Sequence, residues 1–257
     1  MSVPSIGPFP VFTPGQTLRA ARMGAALAAI PSATAAGATV AVLRGRKRAG
    51  FDAALPAWLD WYLATGGVNV EVVTGRQHLR KPRPAVFVWN HKNNWDSMIT
   101  ASLVRTSFTA IAKKELEKDP LMGTFGRFMD ICFVDRSGKA PASEQLRPIE
   151  DLARKGLSVL VAPEGTRSED GNLGPFKKGA FRVAMATGLP VVPIVIRNAE
   201  VLGDSSSKMM GSGHVEVAVL PPVPVDDWSH RDLPKRIDEI RTSFVDTLAD
   251  WPGHKRY

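Results

Sequence analysis

The sequence predicts an α/β fold with a largely parallel central sheet flanked by helices, preceded by an N-terminal helical hairpin that associates with a membrane. Short apolar runs rich in β-branched residues recur along the chain, which is typical of buried strands. Helical stretches separate several of these runs, as in a parallel sheet covered on both faces. With 257 residues and 44% hydrophobic content, the chain is long enough for one large core and an appendage.

Residues 1–64 are predicted to form a Pro-rich leader and a helical membrane-associating segment. An apolar run at 23–43 carries no charge and is about as long as a membrane-spanning helix. The run is rich in alanine, and Pro31 would break or kink a helix there. We therefore expect two short helices, at 17–30 and 32–43, that form a hairpin dipping into or lying on one leaflet. An alanine-rich hairpin packed on the core is the alternative.

Basic residues follow this run at once, at Arg44, Arg46, Lys47 and Arg48. Each basic residue near an anionic leaflet contributes about 1 kcal/mol to binding, and such charges mark the cytoplasmic side of an apolar segment. We expect a peripheral or monotopic protein on the cytoplasmic face of the cell membrane. The single cysteine, Cys132, excludes an intramolecular disulfide and fits a reducing compartment.

The net charge of +8 is compatible with nucleic acid, an anionic membrane or phosphorylated substrates. The basic residues cluster beside the apolar segment and in the motifs described below, and the sequence has no zinc-knuckle spacing and no RNA-binding aromatic strand. The expected partners are therefore a membrane surface and a phosphate-bearing ligand, and no nucleic acid.

Residues 65–257 are predicted to form the main domain. Gly66 and Gly67 end a helical pattern at 51–64, and alternation then predicts a half-buried strand at 68–72. Further strands are expected at 85–89, 108–112, 131–134, 158–161, 191–196 and 215–220. Helices are expected at 97–104, 143–155, 178–187 and 231–249, the last of them amphipathic.

Polar motifs follow three of the predicted strands: Asn-His-Lys-Asn-Asn-Trp-Asp at 90–96, Cys-Phe-Val-Asp-Arg at 132–136 and Ala-Pro-Glu-Gly-Thr-Arg-Ser at 162–168. The strand at 85–89 delivers His91 to its carboxyl end, where α/β proteins gather ligands. Histidine, with an ordinary pKa of about 6.5, is a suitable base at neutral pH. Asp96 is placed to orient this base, and the guanidinium groups of Arg136 and Arg167 suit a phosphate.

In this order, the motifs resemble those of the glycerophospholipid acyltransferases, especially the 1-acylglycerol-3-phosphate O-acyltransferases, which share a His-x4-Asp block and a Glu-Gly-Thr-Arg block. The resemblance covers residues 68–196 and includes Ala-Lys-Lys-Glu-Leu at 112–116, Phe-Lys-Lys-Gly at 176–179 and Val-Val-Pro-Ile at 191–194. One departure is Lys-Asn-Asn-Trp at 92–95, where this family more often has Gln-Ser and an apolar pair. The departure bears on the preference for acyl chain or acceptor, not on the chemistry.

The resemblance implies that residues 65–257 are an acyltransferase catalytic domain. It would move a fatty acyl group from acyl coenzyme A or acyl carrier protein to the sn-2 hydroxyl of lysophosphatidic acid, giving phosphatidic acid. His91 would be the general base, and Asp96 would fix its tautomer and stabilise the imidazolium. The acyl donor is a co-substrate, and no cofactor is expected.

The resemblance also implies the residues that bind the substrates. The phosphate of the acceptor would be bound by guanidinium and ammonium groups, and Glu164 would hold Arg167 or a backbone amide in place. From the residues themselves, Lys177 and Lys178 either meet the phosphates of a coenzyme A donor or are solvated surface charges, as charge pairs on loops usually are. The expected substrate-binding residues are Lys113, Arg136, Glu164, Gly165, Thr166 and Arg167.

Other functions compete with this interpretation. The acceptor could instead be glycerol-3-phosphate, another lysophospholipid or a glycolipid. A non-catalytic lipid-binding module is a further alternative, against which the intact His91 and Asp96 argue. A nucleotide phosphotransferase would need a Gly-x4-Gly-Lys loop, which the sequence lacks. No metal site is predicted, because His and Cys pairs with ligand spacing are missing; the histidines interpreted as ordinary polar residues are His78, His214, His230 and His254.

Overall fold

The computed structural model describes residues 14–119, 123, 126, 130–135, 141–165, 172–203 and 210–253. Its first elements are the helices α1 (Pro14–Ala28), α2 (Ile30–Arg44) and α3 (Lys47–Gly66). Pro31 lies in the first turn of α2, where a missing N–H leaves no hydrogen bond unmade. The proline therefore separates two helices, as the sequence predicts.

The close helix pairing in this region is between α2 and α3. A Cβ atom on Gly50 would lie 2.0 Å from the carbonyl oxygen of Gly37 and 2.8 Å from the Cβ atom of Ala41, so the two helices approach through glycine. Gly45, with a φ of 60°, ends α2 and reverses the chain. The sequence predicts the hairpin one helix earlier, but only Ala29 separates α1 from α2, which is too short a link for a reversal.

Arg48, one of the four basic residues after the apolar run, turns inward. Its Nε atom lies 3.5 Å from Oδ1 of Asp52, and its guanidinium also donates to the carbonyl oxygen of Phe108. Burial lowers the pKa of Arg48, against the opposing effect of Asp52 and Asp130. Arg48 therefore fastens the start of α3 to the rest of the protein.

The helix α3 also packs on the sheet, through residues that share one hydrophobic cluster with strand residues: Phe51, Leu55, Leu59, Tyr62 and Leu63. The division between residues 64 and 65 stays a prediction. Across the described ranges, every helix is either too short or too polar to traverse a bilayer.

A seven-stranded sheet forms the centre of the protein, in the order β1-β7-β6-β2-β5-β3-β4. All neighbouring strands are parallel except β6 and β7. The strands are β1 (Val68–Thr74), β2 (Val86–Trp89), β3 (Phe108–Lys113), β4 (Cys132–Val134), β5 (Ser158–Val161), β6 (Val191–Arg197) and β7 (Gly213–Val219). The predicted largely parallel sheet is confirmed, with strand ends that differ by one or two residues.

Helices cover both faces of this sheet. On one face, α3 and α4 (Asp96–Val104) pack over Phe87 and Trp89. On the other face, three helices pack over Val86 and Val88: α5 (Ala142–Arg154), α6 (Gly179–Thr187) and α7 (Leu233–Ala249). All four residues of β2 are buried, because β2 lies in the middle of the sheet. Short 3₁₀ turns lie at Arg76–Leu79, Lys114–Lys118 and Ala199–Leu202.

Candidate active site

The side chain of Asn90 fixes the carboxyl end of β2. Its Nδ2 donates to the carbonyl oxygen of Ile196 at 2.8 Å, and its Oδ1 accepts from the Ile196 amide at 2.7 Å. The amide group thereby continues the pairing of β2 with β6 by one residue. His91 follows directly, so its backbone starts from a fixed point at the edge where parallel strands present ligand sites.

His91 and Asp96 form a hydrogen-bonded pair at this edge. Nδ1 of His91 lies 3.2 Å from Oδ2 of Asp96, which also accepts from the backbone amides of Lys92 at 2.5 Å and Asn93 at 2.7 Å. Asp96 is fully buried and begins α4, whose N-terminus favours a negative charge. Because a carboxylate only accepts hydrogen bonds, Nδ1 carries the proton and Nε2 is the nitrogen that can act as a base.

Glu164 supports His91 from the loop that follows the neighbouring strand β5. Oε1 accepts from the backbone amide of His91 at 2.7 Å, and Oε2 accepts from that of Gly174 at 2.9 Å. Burial raises the pKa of Glu164 above its ordinary value, although both amides act to lower it. Of the two roles predicted for Glu164, the structure shows the one on a backbone amide.

Gly165 and Lys177 lie against each other beside Glu164. Gly165 has a φ of 73°, and a Cβ atom added to it would be 2.9 Å from Nζ of Lys177. The backbone amide of Lys177 donates to the carbonyl oxygen of Pro163 at 2.7 Å. An ammonium group is therefore held within a few ångströms of the loop that follows β5.

The other predicted substrate-binding residues are less well defined. Lys113 ends β3 and is exposed at the same sheet edge as His91. Arg136, Thr166 and Arg167 lie outside the described residues. Their roles in binding phosphate stay predictions.

Sequence reasoning missed the contribution of Asn93. Its side chain is buried, with Oδ1 accepting from the backbone amide of Trp95 at 2.8 Å. Its Nδ2 donates to the carbonyl oxygens of Ala199 and Gly203. The sequence does not distinguish Asn93 from the exposed Asn94 beside it.

A second histidine also lies among carboxylates, on strands β1 and β7. Nε2 of His214 is 3.1 Å from Oε2 of Glu71 and 4.0 Å from Oε1 of Glu216. The ligand atoms of these three residues lie within 4.8 Å of one another, close enough to hold a metal ion. The sequence pattern indicates an ordinary polar residue at His214, because Glu71 is far from His214 along the chain and only the sheet brings the two together.

A cavity of about 280 Å³ lies at the opposite edge of the sheet from His91, because β7 runs antiparallel to β6. Its lining includes Thr74, Gly75, His78 and Thr247. Among the predicted site residues that the structure describes, none borders this cavity.

Residues 71–197 match the family model described as Acyltransferase. The chain belongs to the acyltransferase family. It is 32% identical over 185 residues to 1-acyl-sn-glycerol-3-phosphate acyltransferase alpha of Homo sapiens, covering 72% of this chain and 65% of that protein. It is 30% identical over 187 residues to 1-acyl-sn-glycerol-3-phosphate acyltransferase of Saccharomyces cerevisiae, covering 72% of this chain and 61% of that protein. The chain thus spans less than two thirds of the length of these relatives.

The fold is similar to that of a solved structure, the 1-acyl-sn-glycerophosphate (LPA) acyltransferase PlsC from Thermotoga maritima. The TM-score is 0.70 at 24% identity, over 90% of this chain and 97% of that one. The acyltransferase region at 71–197 begins within β1 and ends with β6. It therefore contains His91, Asp96 and Glu164, and leaves α1, α2 and α3 outside.

Proposed function

We propose that this protein is a 1-acyl-sn-glycerol-3-phosphate acyltransferase. It transfers a fatty acyl group from acyl coenzyme A or acyl carrier protein to the sn-2 hydroxyl of lysophosphatidic acid, and the product is the phosphatidic acid used in phospholipid biosynthesis. The observation that carries this proposal is the His91–Asp96 pair at the carboxyl end of β2, inside the acyltransferase region. The names of the relatives from Homo sapiens and Saccharomyces cerevisiae support the acceptor.

The reaction uses His91 first as a base and then as an acid. Nε2 takes the proton of the acceptor hydroxyl while the hydroxyl oxygen attacks the carbonyl carbon of the thioester. The tetrahedral intermediate then expels the sulfur, which leaves as a thiol with the proton that the imidazolium returns. Asp96, buried and hydrogen-bonded to Nδ1, stabilises the imidazolium between these steps. The acyl group never becomes attached to the protein.

Cationic side chains bind the phosphate of the acceptor in this proposal. Arg136 and Arg167 provide planar groups that match phosphate oxygens in pairs, and Thr166 adds a hydroxyl donor. Lys113 supplies a further charge from the end of β3. The ammonium group of Lys177, held against Gly165, supports an anionic ligand at this edge of the sheet.

The acceptor is taken from a membrane surface on the cytoplasmic side. Val42 and Leu43, near the end of α2, are 80% and 79% exposed. Arg44 is the last residue of α2, and Arg46 lies in the turn to α3. Exposed apolar side chains next to cations suit an anionic lipid surface, and this supports a peripheral or monotopic attachment.

The test is the release of free thiol from palmitoyl and oleoyl coenzyme A in detergent micelles, with lysophosphatidic acid or glycerol-3-phosphate as acceptor. We expect turnover with lysophosphatidic acid and a loss of about 10²–10⁴-fold in His91→Ala, the usual contribution of a general base. His230→Ala, at an exposed position, is the matched control and should keep wild-type turnover.

Several outcomes would contradict the proposal. Turnover with glycerol-3-phosphate but not with lysophosphatidic acid would contradict the proposed acceptor. Turnover that survives in His91→Ala would contradict the role of His91 as the base. A folded wild type that is silent with coenzyme A donors and with an acyl carrier protein donor, but binds lysophosphatidic acid, would be a lipid-binding module.

A further inference from the structure

The loop at residues 91–96 carries both members of the His91–Asp96 pair, and several of its hydrogen bonds run within the loop. Asp96 accepts from the backbone amides of Lys92 and Asn93. These bonds set the shape of the loop but not its position on the protein. The position needs contacts to other elements. Trp95 packs in the hydrophobic core, and polar contacts come from the flanking Asn90, from Glu164 and from the side chain of Asn93.

Asn93 joins the loop to a separate segment at 199–203. Its side chain is 1% exposed, and Nδ2 donates to the carbonyl oxygens of Ala199 and Gly203, the second at 3.3 Å. Nearby, Nζ of Lys92 lies 3.9 Å from Oε2 of Glu200. That ion pair contributes little, because the Glu200 side chain is 63% exposed, so Asn93 is the principal attachment.

The same residue also holds Asp96 and the start of α4. The backbone amide of Asn93 donates to Oδ2 of Asp96 at 2.7 Å, and its Oδ1 accepts from the amide of Trp95 at 2.8 Å. Any shift of Asn93 therefore moves the oxygen that accepts the hydrogen bond from His91 Nδ1. A buried amide is suited to this task because it donates and accepts at once without adding charge.

We infer that Asn93 is a positioning residue, which holds the His91–Asp96 pair in register by fastening the loop at 91–96 to the segment at 199–203. It touches neither substrate nor the reacting atoms, and it acts through Asp96. Its effect on turnover rests on the proposed function, whereas its effect on the imidazole of His91 does not.

The first measurement is ¹⁵N NMR of the imidazole of His91 in the 257-residue chain, assigned with His91→Asn. At a pH where the imidazole is neutral, the wild type should carry its proton on Nδ1, the nitrogen that faces Asp96. Asn93→Ala removes both side-chain attachments, and Asn93→Asp places a carboxylate against two carbonyl oxygens. Both variants should show a mixture of tautomers. Asn94→Ala, the exposed neighbour, is the matched control and should keep the wild-type tautomer.

The second measurement is the split between kcat and KM in the thiol-release assay. A displacement of about 1 Å at a reacting pair lowers rates by up to about 10²-fold, so kcat should fall about 10- to 100-fold in Asn93→Ala and Asn93→Asp, with KM within about threefold. Val225→Ala, a cavity-forming change in the core on the other sheet face, controls for lost stability. It should lower the melting temperature but leave tautomer and kcat unchanged.

The outcomes separate this inference from the proposed function. Asn93 variants that keep the wild-type tautomer would overturn the inference, whatever their turnover. If Val225→Ala also produced a tautomer mixture, the effect would reflect general loosening and the inference would fail. A wild type that has the Nδ1–H tautomer and loses it in the Asn93 variants, but transfers no acyl group, would support the inference and contradict the proposed function.

Discussion

His91 and His214 both lie against a carboxylate, at 3.2 Å from Asp96 and at 3.1 Å from Glu71, and the two pairs differ in how the carboxylate is held. Asp96 is fully buried at the start of a helix and accepts hydrogen bonds from two backbone amides as well as from the imidazole. The side chain of Glu71 is 46% exposed on the edge strand β1. A long exposed side chain loses much of the gain from an ion pair to its own entropy and to screening by solvent.

Distance alone therefore does not distinguish the proposed catalytic pair from the pair at His214. The His91 pair is distinguished by hydrogen bonds to the backbone. The backbone amide of Asn93 donates to Asp96, and the backbone amide of His91 donates to Glu164. Such donors are oriented by the fold before substrate arrives and need no reorganisation during the reaction. At His214, the neighbouring Glu216 instead pairs with Arg197 at 3.6 Å, which ties the cluster to β6.

The largest difference between the two pairs should appear when the carboxylate is altered. Asp96→Ala removes the acceptor of the imidazole proton and leaves two backbone amides unpaired, so kcat should fall about 10³–10⁴-fold. In Asp96→Asn, the amide oxygen can take the place of Oδ2 and accept the same three hydrogen bonds, from the imidazole and from two backbone amides. Oδ1, which has no partner among the described residues, would become the NH₂ group.

Asp96→Asn should therefore keep the tautomer and lose only the charge. A hydrogen bond to a charged group contributes about 1.5–3 kcal/mol, so kcat should fall about 10- to 100-fold, less than in Asp96→Ala. The kcat of both variants is measured by steady-state kinetics, and melting curves verify that both variants fold. Equal losses in the two variants would show that charge, not geometry, governs the pair.

Glu164 offers a way to measure the backbone support itself. In Glu164→Gln, the single side-chain oxygen can accept a hydrogen bond from the amide of His91 or of Gly174, but not from both in the present geometry. A buried amide without a hydrogen bond lowers the free energy of unfolding by about 1–3 kcal/mol. Burial raises the pKa of Glu164 in the folded protein. The wild type therefore loses stability as the pH rises from the ordinary pKa of a glutamate to the raised pKa in the folded protein. The glutamine variant does not titrate and lacks this loss. The destabilisation by Glu164→Gln should therefore be largest at low pH and shrink as the pH rises.

Urea unfolding of both proteins between about pH 4 and 8 would test this sign, with the exposed Glu115→Gln as the control for general pH effects. A destabilisation that grows with pH would mean that the ionised carboxylate is favoured in the folded protein, contrary to the expected direction of the pKa shift.

The smallest effects are expected at the His214 cluster. Glu71→Gln should change the free energy of unfolding by at most about 1 kcal/mol, and less at high salt, as for exposed pairs in general. Thiol release should stay at the wild-type rate. A loss of turnover comparable to that of Asp96→Asn would contradict the distinction between the two histidines.

The fold was largely predictable because each element has a local signal. The run at 191–196 and the buried β2 are continuous apolar stretches, and the sequence assigns both as strands. The helix α7 follows from the period of Ile237, Ile240 and Phe244, all of which the structure buries. Less predictable was the chain reversal in the N-terminal region, since it depends on how Gly37 and Gly50 meet across two helices.

His91 and Asp96 are determined by the sequence itself, since five residues of separation and a preceding buried strand place both in one tight loop. Glu164 as a support for His91 was only half predicted, and Asn93 was missed. The bonds of both residues run to backbone groups far away in the chain, at Gly174, Ala199 and Gly203. Only the tertiary structure decided those partners, because hydrogen bonds to distant backbone leave no spacing pattern in the sequence, whereas strands, helices and short motifs do.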